Sequence, residues 1–300
     1  MNKIEIKGIS KRFDTVRSLD NVCAAINQGS IFGLIGSNGA GKSTLLRIMS
    51  GIYKQDSGDV FYNGQTLYDN PVLKEEIVYV SDDLYFFPHG TVEDMMNFYT
   101  KIYPGFDKKR YFELCDMFRL DRNRKINTFS KGMQKQAAML LALSIRPKYL
   151  LCDETFDGLD PVMRQFIKRL IADDVAERGV TPIIASHNLR ELEDICDHIG
   201  LLHSGGIVFD GELDNLKSNI FKVQAVFSDA ENRTFDDIAV VDYKRRGSVI
   251  SLVVRGTREE VETYFNSKAP TFFEILPLSL EEIFISEMEE KGYDYASIAL

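Results

Sequence analysis

Hydrophobic and polar residues alternate in the first part of the chain, and this pattern predicts strands with one buried face. The alternation is loose over Ile4–Ile9 and recurs over Val22–Ile26. Further on, Asn63-Gly64 separates Val60–Tyr62 from Gln65–Leu67, and this dipeptide tolerates the positive φ angles of a type I′ turn. The four segments therefore predict an antiparallel layer that includes a hairpin.

Helical spacing replaces the alternation at about residue 91. Thr91 is a predicted N-cap, because Asp94 follows three residues later as in a capping box. Pro104-Gly105 interrupts the helical pattern, and a further helix is predicted over Met133–Ile145. We expect these helices to form a helical subdomain at about residues 91–145.

A short run of apolar residues, Tyr149–Cys152, is typical of a parallel strand that is buried on both faces. An amphipathic helix is predicted over Met163–Glu177, and the next strand over Pro182–Ala185. A helix is then predicted over Asn188–Cys196. Because strands alternate with helices, the pattern predicts an α/β core.

The pattern changes again after about residue 218, where short strands follow one another with few helices between them. We expect one domain over residues 1–218 and a small, separate α/β domain over residues 219–300. The strands of this second domain are predicted at Phe221–Phe227, Ile238–Tyr243, Val249–Val254 and Phe272–Ile275, and its helices at Glu259–Phe265 and Leu280–Glu287.

The composition indicates a globular chain with little attraction for nucleic acid. The chain has 300 residues, 44% of them hydrophobic, which suffices for one large or two ordinary domains. Its formal net charge is −9, from 45 acidic and 36 basic side chains, and no run of five or six like charges occurs. An acidic balance disfavours a broad nucleic-acid surface, so we expect no nucleic-acid partner.

Cysteine usage and hydropathy favour a reducing, aqueous compartment. Cys23, Cys115, Cys152 and Cys196 lie far apart without C-x-x-C spacing, so neither a zinc site nor a disulfide framework is predicted. The sequence has no signal-peptide pattern at its start and no run of about 18 apolar residues. We therefore expect a soluble chain in the cytoplasm.

The segment Gly36–Ser43, GSNGAGKS, has the composition of a phosphate-binding loop. It follows the apolar run Ile31–Ile35, a predicted strand, and precedes a predicted helix. Its glycines let the backbone turn tightly with N–H groups pointing inward, at a helix N-terminus whose dipole favours negative charge. The predicted phosphate-binding residues are Gly36, Ser37, Asn38, Gly39, Ala40, Gly41, Lys42, Ser43 and Thr44.

Two side chains of this loop have predicted roles of their own. Lys42 would reach the β- and γ-phosphates of a nucleotide, and the Ser43 hydroxyl would hold Mg²⁺. The alternative is a glycine-rich turn that binds nothing. The strand before the loop and the helix after it argue against that alternative.

Polar side chains follow two of the predicted parallel strands. Asp153 and Glu154 end one strand, and His187 ends the next, so we expect all three at one edge of the sheet. Adjacent strand residues point in opposite directions. We therefore predict that Asp153 serves Mg²⁺ through its water shell, while Glu154 orients and deprotonates an attacking water. His187 would donate a hydrogen bond to the γ-phosphate.

Five segments, in this order and spacing, resemble those of the ATP-binding subunits of ABC transporters. The resemblance extends over roughly residues 4–213. Gly36–Thr44 resembles the Walker A motif, Phe129–Met133 the signature motif, Leu150–Glu154 the Walker B motif, Gly158–Pro161 the D-loop, and His187 the switch histidine.

The resemblance implies a P-loop NTPase core and a head-to-tail dimer, of two identical or two different subunits, that buries two ATP molecules. Ser130 and Gly132 would contact the γ-phosphate bound to the other subunit. Phe13 stands where an aromatic residue stacks on adenine, although by itself it could equally be a core aromatic. A separate integral membrane permease would dock near residues 82–91, where Leu84–Pro88 supplies apolar side chains.

The chain departs from the family pattern at several positions. Lys131 replaces a glycine and Met133 a glutamine of the signature, and Thr155-Phe156 replaces the usual Pro-Thr. Asp82 stands where glutamine is common, and its carboxylate is a candidate for binding a metal-bound water. Hydrolysis is nevertheless expected, because the residues that the chemistry needs are all present, namely Lys42, Ser43, Asp153, Glu154 and His187.

The C-terminal segment Leu276–Phe284 and the small domain before it resemble the tail of bacterial drug and antibiotic exporters, which favours export and a location at the cytoplasmic face of the cell membrane. The tail alternatively serves dimerisation or regulation. Two other functions stay open. One is a soluble ABC-type ATPase that acts on ribosomes or nucleic acid, and the other is a nucleotide-binding regulator with weak catalysis.

Overall fold

A computed structural model of the chain describes residues 3–228, 234–235 and 237–290. The chain divides into two compact units, Met1–Asp210 and Gly211–Leu300. Within the described residues, no helix combines the length and the apolar content that crossing a lipid bilayer requires.

The first unit contains two sheets, seven α-helices and one short 3-10 helix, Ile126–Thr128, among its described residues. Its strands are β1 Lys3–Phe13, β2 Val16–Asn27, β3 Phe32–Ile35, β4 Ser57–Tyr62, β5 Gln65–Thr66, β6 Ile77–Val80, β7 Tyr149–Asp153, β8 Thr181–Ser186, β9 His198–His203 and β10 Gly206–Glu212. Its helices are α1 Lys42–Met49, α2 Pro71–Glu75, α3 Val92–Ile102, α4 Lys108–Phe118, α5 Lys131–Ser144, α6 Pro161–Arg178 and α7 Leu189–Glu193.

The antiparallel layer predicted from the alternating pattern is confirmed. Its four strands lie in the order β2-β1-β4-β5, and β1 pairs antiparallel with both β2 and β4. Residues Ile4 and Ile26 are register partners, and both are fully buried. The predicted turn at Asn63-Gly64 joins β4 to β5 with positive φ at both residues.

The second sheet places the ends of several strands side by side. Its six strands lie in the order β10-β9-β3-β8-β7-β6, and every pair from β9 through β6 is parallel. All residues of β3, β7 and β8 are buried, as expected for strands covered on both faces. The carboxyl ends of β3, β7 and β8 therefore meet at one edge, and the predicted α/β core is confirmed.

The helices of residues 91–145 begin and end largely as the sequence predicts. The Thr91 hydroxyl accepts a hydrogen bond from the backbone N–H of Asp94, and the Asp94 carboxylate accepts one from the backbone N–H of Thr91, which completes the capping box. The helix predicted to begin at Met133 begins instead at Lys131, because the Ser130 side chain caps its N-terminus. Similarly, α7 is shorter than predicted, and it is capped by Asn188.

The second unit has a four-stranded sheet in the order β12-β13-β11-β14, with antiparallel pairing throughout. The predicted boundary at residue 218 stays a prediction. The elements of this unit are α8 Leu213–Ser218, β11 Ile220–Val226, β12 Ala239–Arg246, β13 Val249–Arg255, α9 Arg258–Ser267, β14 Phe272–Leu276 and α10 Leu280–Glu290.

Candidate functional site

The loop between β3 and α1 needs glycine at two positions where the backbone passes close to other chain segments. A Cβ atom added at Gly36 would lie 2.4 Å from the carbonyl oxygen of Leu202. One added at Gly41 would lie 2.6 Å from the carbonyl oxygen of Ser18, and Gly41 also has a φ of 108°. No side chain caps the N-terminus of α1. Its first N–H groups are therefore oriented for an anion, as the sequence predicts.

The ammonium of Lys42 is enclosed by the loop. Its Nζ atom donates to the carbonyl oxygens of Gly36, at 2.7 Å, and Ser37, at 3.3 Å, and lies 3.2 Å from Oε1 of Glu154. The side chain is only 5% exposed. Asn38 and Gly39 form the exposed tip of the loop. The lysine thus lies where it can reach the phosphates of a bound nucleotide.

The Asp153 carboxylate lies at the end of β7 between two hydroxyl donors. The Ser43 hydroxyl donates to its Oδ1 atom at 3.0 Å, and the Tyr79 hydroxyl donates to its Oδ2 atom at 2.9 Å. Asp153 is 1% exposed, and this burial raises the pKa of its carboxyl. Burial also raises the pKa of Tyr79 to about 12, so its hydroxyl stays protonated and donates.

The oxygen atoms of Ser43 and Asp153 are the donors that a hard cation prefers. Mg²⁺ is bound through carboxylates, hydroxyls and waters, and this site offers a buried carboxylate next to a helix N-terminus. The residues therefore fit Mg²⁺. Tyr79 was not found from the sequence, because its hydroxyl reaches Asp153 from a strand 74 residues earlier in the chain.

Glu154 and His187 come together as the strand order predicts. Nδ1 of His187 lies 2.9 Å from Oε2 of Glu154, and the backbone N–H of His187 donates to the same oxygen at 3.3 Å. Glu154 has a φ of 47°, so its backbone leaves the strand in the left-handed region. Asp157, which the sequence did not single out, contributes a second carboxylate 3.9 Å from Nδ1 of His187.

The two predicted signature residues lie at the start of α5. The Ser130 hydroxyl accepts a hydrogen bond from the backbone N–H of Met133 at 3.2 Å and so caps the helix. A Cβ atom added at Gly132 would lie 2.9 Å from the carbonyl oxygen of Gly158, so the signature and the D-loop are in close contact. Contacts of Ser130 and Gly132 with the nucleotide of a second subunit stay predictions.

Phe13 and Thr44 occupy different surroundings. Phe13, at the end of β1, is 39% exposed, and its ring meets that of Tyr53 edge to face with centroids 5.5 Å apart. It is therefore not a buried core aromatic, and stacking on adenine stays a prediction. The Thr44 hydroxyl accepts a hydrogen bond from Ser18 at 2.8 Å.

Asp82 forms an ion pair, and its predicted role at the metal stays a prediction. Its Oδ1 atom lies 3.0 Å from Nζ of Lys135, and its side chain is 57% exposed. Lys135 also donates to the backbone carbonyl oxygen of Glu154 at 2.6 Å. No sequence motif pointed to Lys135, because its partners come from two other segments.

Comparison with known proteins gives a consistent result. Residues 19–157 match the family described as ABC transporter. The ABC transporter ATP-binding protein YtrB of Bacillus subtilis is 31% identical over 288 residues, which cover 96% of this chain and 99% of YtrB. A solved structure of an ATP-binding subunit of an ABC transporter is 27% identical, with a TM-score of 0.66, over 71% of this chain and 91% of that one.

Other relatives are named for the transport of different substrates. The bacitracin transport ATP-binding protein BcrA of Bacillus licheniformis is 30% identical over 220 residues, 71% of each chain. A probable sulfate/thiosulfate import ATP-binding protein, CysA of Chlorella vulgaris, is 34% identical over 221 residues, 72% of this chain and 94% of CysA. With a nucleotide-binding loop and its carboxylates in place, we conclude that this chain belongs to the ABC transporter family, as one of its ATP-binding, ATP-hydrolysing subunits.

Proposed function

We propose that this chain hydrolyses ATP in a head-to-tail dimer and thereby drives export of a substrate through a separate membrane permease. The observation that carries the proposal is the meeting of Lys42, Asp153, Glu154 and His187 at one sheet edge. Three of these side chains come from strand ends and one from the loop. Together they supply what phosphoryl transfer to water needs: a phosphate anchor, a cation site and a base.

ATP binds with its phosphates in the loop of residues 36–44. The N–H groups at the start of α1 and the Lys42 ammonium stabilise the β- and γ-phosphates. Ser43 would hold Mg²⁺ directly and Asp153 through its water shell, and the ion would supply charge neutralisation of the phosphate oxygens. The Phe13 ring, exposed beside Tyr53, stacks on the adenine.

Hydrolysis then proceeds by attack of a water on the γ-phosphorus. The water oxygen forms a bond to phosphorus, the bond from phosphorus to the ADP oxygen breaks, and Glu154 accepts a proton from the water. Its Oε1 atom lies beside Lys42 and its Oε2 atom beside His187, so the carboxylate is oriented by both. His187 donates to the γ-phosphate, and Ser130 and Gly132 of the second subunit close the site.

A groove in the first unit is the proposed contact with the permease, and this contact would hold the chain at the cytoplasmic face of the membrane. The cavity there has a volume of about 390 Å³, and its lining includes Leu84, Tyr85, Phe86, Tyr99 and Tyr103. Aromatic side chains in a groove suit the apolar face of a helix. The ring of Phe87 packs instead on the ring of Phe98, with centroids 4.9 Å apart, so Phe87 makes its contact within the chain.

The proposed direction of transport is export. The name of YtrB gives no direction of transport, and BcrA and the importer subunit CysA match similar shares of the chain, 71% and 72%. Export is supported by the resemblance of Leu276–Phe284 to the tail of bacterial exporters, and the similarity to BcrA, named for bacitracin transport, is consistent with it. Uptake of substrate by inverted membrane vesicles that contain the chain and its permease tests the direction. Export predicts that the substrate accumulates inside these vesicles when ATP is added outside.

Trapping the closed dimer tests the mechanism. Glu154→Gln removes the base and keeps the shape of the side chain, so we expect hydrolysis to fall at least about 100-fold and ATP-bound dimers to accumulate. Phosphate release and light scattering after size exclusion measure the two effects. Glu113→Gln, an exposed substitution on α4, is the matched control.

Two outcomes would contradict the proposal. If Glu154→Gln stays a single subunit with ATP, in solution and in membranes with the permease, two copies do not clamp the nucleotide. If the unsubstituted chain shows no turnover even with its permease, it is a nucleotide-binding regulator instead. The replacements at Asp82, Lys131 and Met133 would then explain the lost activity.

A further inference from the structure

Lys135 lies where three segments of the first unit meet. It belongs to the second turn of α5, the helix that Ser130 caps. Its Nζ atom donates to the backbone carbonyl oxygen of Glu154 at 2.6 Å and to Oδ1 of Asp82 at 3.0 Å. The side chain is 11% exposed. One ammonium therefore joins the signature helix, the end of β7 and the segment that follows β6.

The bond to Glu154 acts on a residue whose backbone is strained. Glu154 has a φ of 47°, a region that side chains other than glycine rarely adopt. Its backbone N–H donates to the carbonyl oxygen of Ala185 at 3.0 Å, which fixes one side of the residue to β8. Lys135 fixes the other side, because a short bond from a charged donor is among the stronger hydrogen bonds in proteins.

We propose that Lys135 is a positioning residue that acts on hydrolysis through Glu154, with Asp82 as the counter-charge that orients its ammonium. The inference rests on the proposed function, in which Glu154 is the base. Lys135 touches only the backbone of Glu154, so its effect is on the direction of the carboxylate. Asp82 in turn is a partner of Lys135, and Ser43 and Asp153 would hold Mg²⁺ without Asp82.

The two hydrogen bonds of Lys135 differ in their exposure to water, and we therefore expect them to contribute differently to hydrolysis. The Asp82 side chain is 57% exposed, and water screens ion pairs of this kind. The carbonyl of Glu154 accepts in a nearly buried place, where a lost hydrogen bond is not replaced by solvent as readily. Removing Lys135 should therefore impair hydrolysis more than removing the charge of Asp82.

Lys135→Met tests the proposal, because methionine fills similar space without the ammonium. Displacement of a catalytic group by about 1 Å can reduce a rate by about 100-fold, so we expect kcat to fall by about 10-fold or more. KM and the affinity for a fluorescent ATP analogue should stay within about twofold, because the phosphate loop is unchanged. Lys109→Met, at an exposed position of α4, is the matched control. A kcat within twofold of the unsubstituted chain would overturn the proposal.

Introducing Lys135→Met into the Glu154→Gln chain distinguishes a positioning role of Lys135 from a general loss of structure. In the Glu154→Gln chain, Lys135→Met should leave the residual hydrolysis rate unchanged, since the group it orients is already gone. A further fall of tenfold there would show that Lys135 acts elsewhere. If Glu154→Gln itself hydrolyses ATP normally, the proposed base is wrong. If Glu154→Gln is inactive and Lys135→Met is fully active, only the present inference fails.

Asp82→Asn gives an independent measurement on an exposed residue whose substitution should not affect folding. We expect kcat to fall by about two- to fivefold, and the concentration of Mg²⁺ for half-maximal activity to stay the same. Combined with Lys135→Met, it should add no further loss, because both substitutions disable one interaction. A fivefold rise in the Mg²⁺ requirement would assign Asp82 to the metal and contradict its role as the partner of Lys135.

Discussion

At the scale of single residues, the site combines charges that the fold keeps away from water. Lys42 and Glu154 form an ion pair in which both side chains are largely buried. Removing one partner of such a pair leaves the other charge buried without compensation, which destabilises the folded state by about 3–5 kcal/mol. Their proximity is useful for catalysis, because a phosphate that enters the loop meets a preformed positive charge.

Lys42→Ala should abolish hydrolysis. The substitution removes the phosphate anchor and leaves the Glu154 carboxylate without its cation, so we expect turnover to fall by at least about 100-fold. Phosphate release at saturating ATP measures the loss. Lys109→Ala, at an exposed lysine, should behave as the unsubstituted chain. Turnover within tenfold of normal for Lys42→Ala would contradict the assigned role.

Asp153 should make stability depend on pH in a definite direction. Burial raises the pKa of its carboxyl in the folded state, so the folded chain binds this proton more tightly than the unfolded chain. Ionisation above the ordinary pKa of aspartate therefore destabilises the folded state as pH rises. Asparagine resembles the neutral acid and escapes this effect.

The midpoint of thermal unfolding of Asp153→Asn, relative to that of the unsubstituted chain, should accordingly increase from pH 4 to pH 7. Differential scanning fluorimetry across this range measures the difference. The variant should also lose Mg²⁺-dependent hydrolysis. A difference in midpoint that is constant with pH would show that the ionisation of Asp153 does not affect folding.

At the scale of elements, the connection from β3 to α1 depends on close backbone approach. Gly41 has a φ of 108°, and a Cβ atom added there would lie 2.6 Å from the carbonyl oxygen of Ser18 on β2. Both the antiparallel sheet and the parallel sheet therefore constrain the loop. A side chain at this position would have to move β2 or the loop itself, and either movement disturbs the phosphate site.

Gly41→Ala should consequently destabilise the chain more than a strained glycine in open space. The left-handed conformation costs a residue with a side chain about 1–2 kcal/mol, and the contact with Ser18 adds to this. Gly64→Ala is the matched control, because Gly64 has a φ of 80° with nothing within 4 Å of the added atom. Urea unfolding measures both. Equal losses of stability would mean that the loop relaxes around the new side chain.

At the scale of the whole chain, the proposed work requires a partner that responds to closure of the dimer. The groove beside β6 offers apolar side chains, and Tyr85 is 75% exposed at its edge. An exposed aromatic residue of this kind is typical of interfaces, where its burial contributes to affinity. The groove is continuous in sequence with Asp82, which pairs with Lys135.

Tyr85→Ala should weaken the complex with the permease. Loss of a buried aromatic contact at an interface costs about 2 kcal/mol or more, so we expect the fraction of permease that copurifies to fall several-fold. Tyr68→Ala is a suitable control, because Tyr68 is exposed elsewhere, against Lys54. Unchanged copurification of Tyr85→Ala would exclude this edge of the groove as the contact.

The sequence alone determined the local features of this protein. Periodicity predicted most of the strands and helices, although not β6, β9 or β10, the glycine spacing predicted the phosphate loop, and strand alternation predicted that Asp153 and His187 end at one edge. These features follow from neighbours in the chain, since turns, caps and buried strands are set by short-range sterics and hydrophobicity.

The tertiary structure decided which side chains from distant segments complete the site. Tyr79 reaches Asp153 across 74 positions, and Lys135 reaches the backbone of Glu154 from another helix. No local pattern identifies such contacts, because any tyrosine or lysine of the right length can make them once the sheet is assembled. Sequence therefore predicted the reacting groups, and only packing revealed the residues that hold them in place.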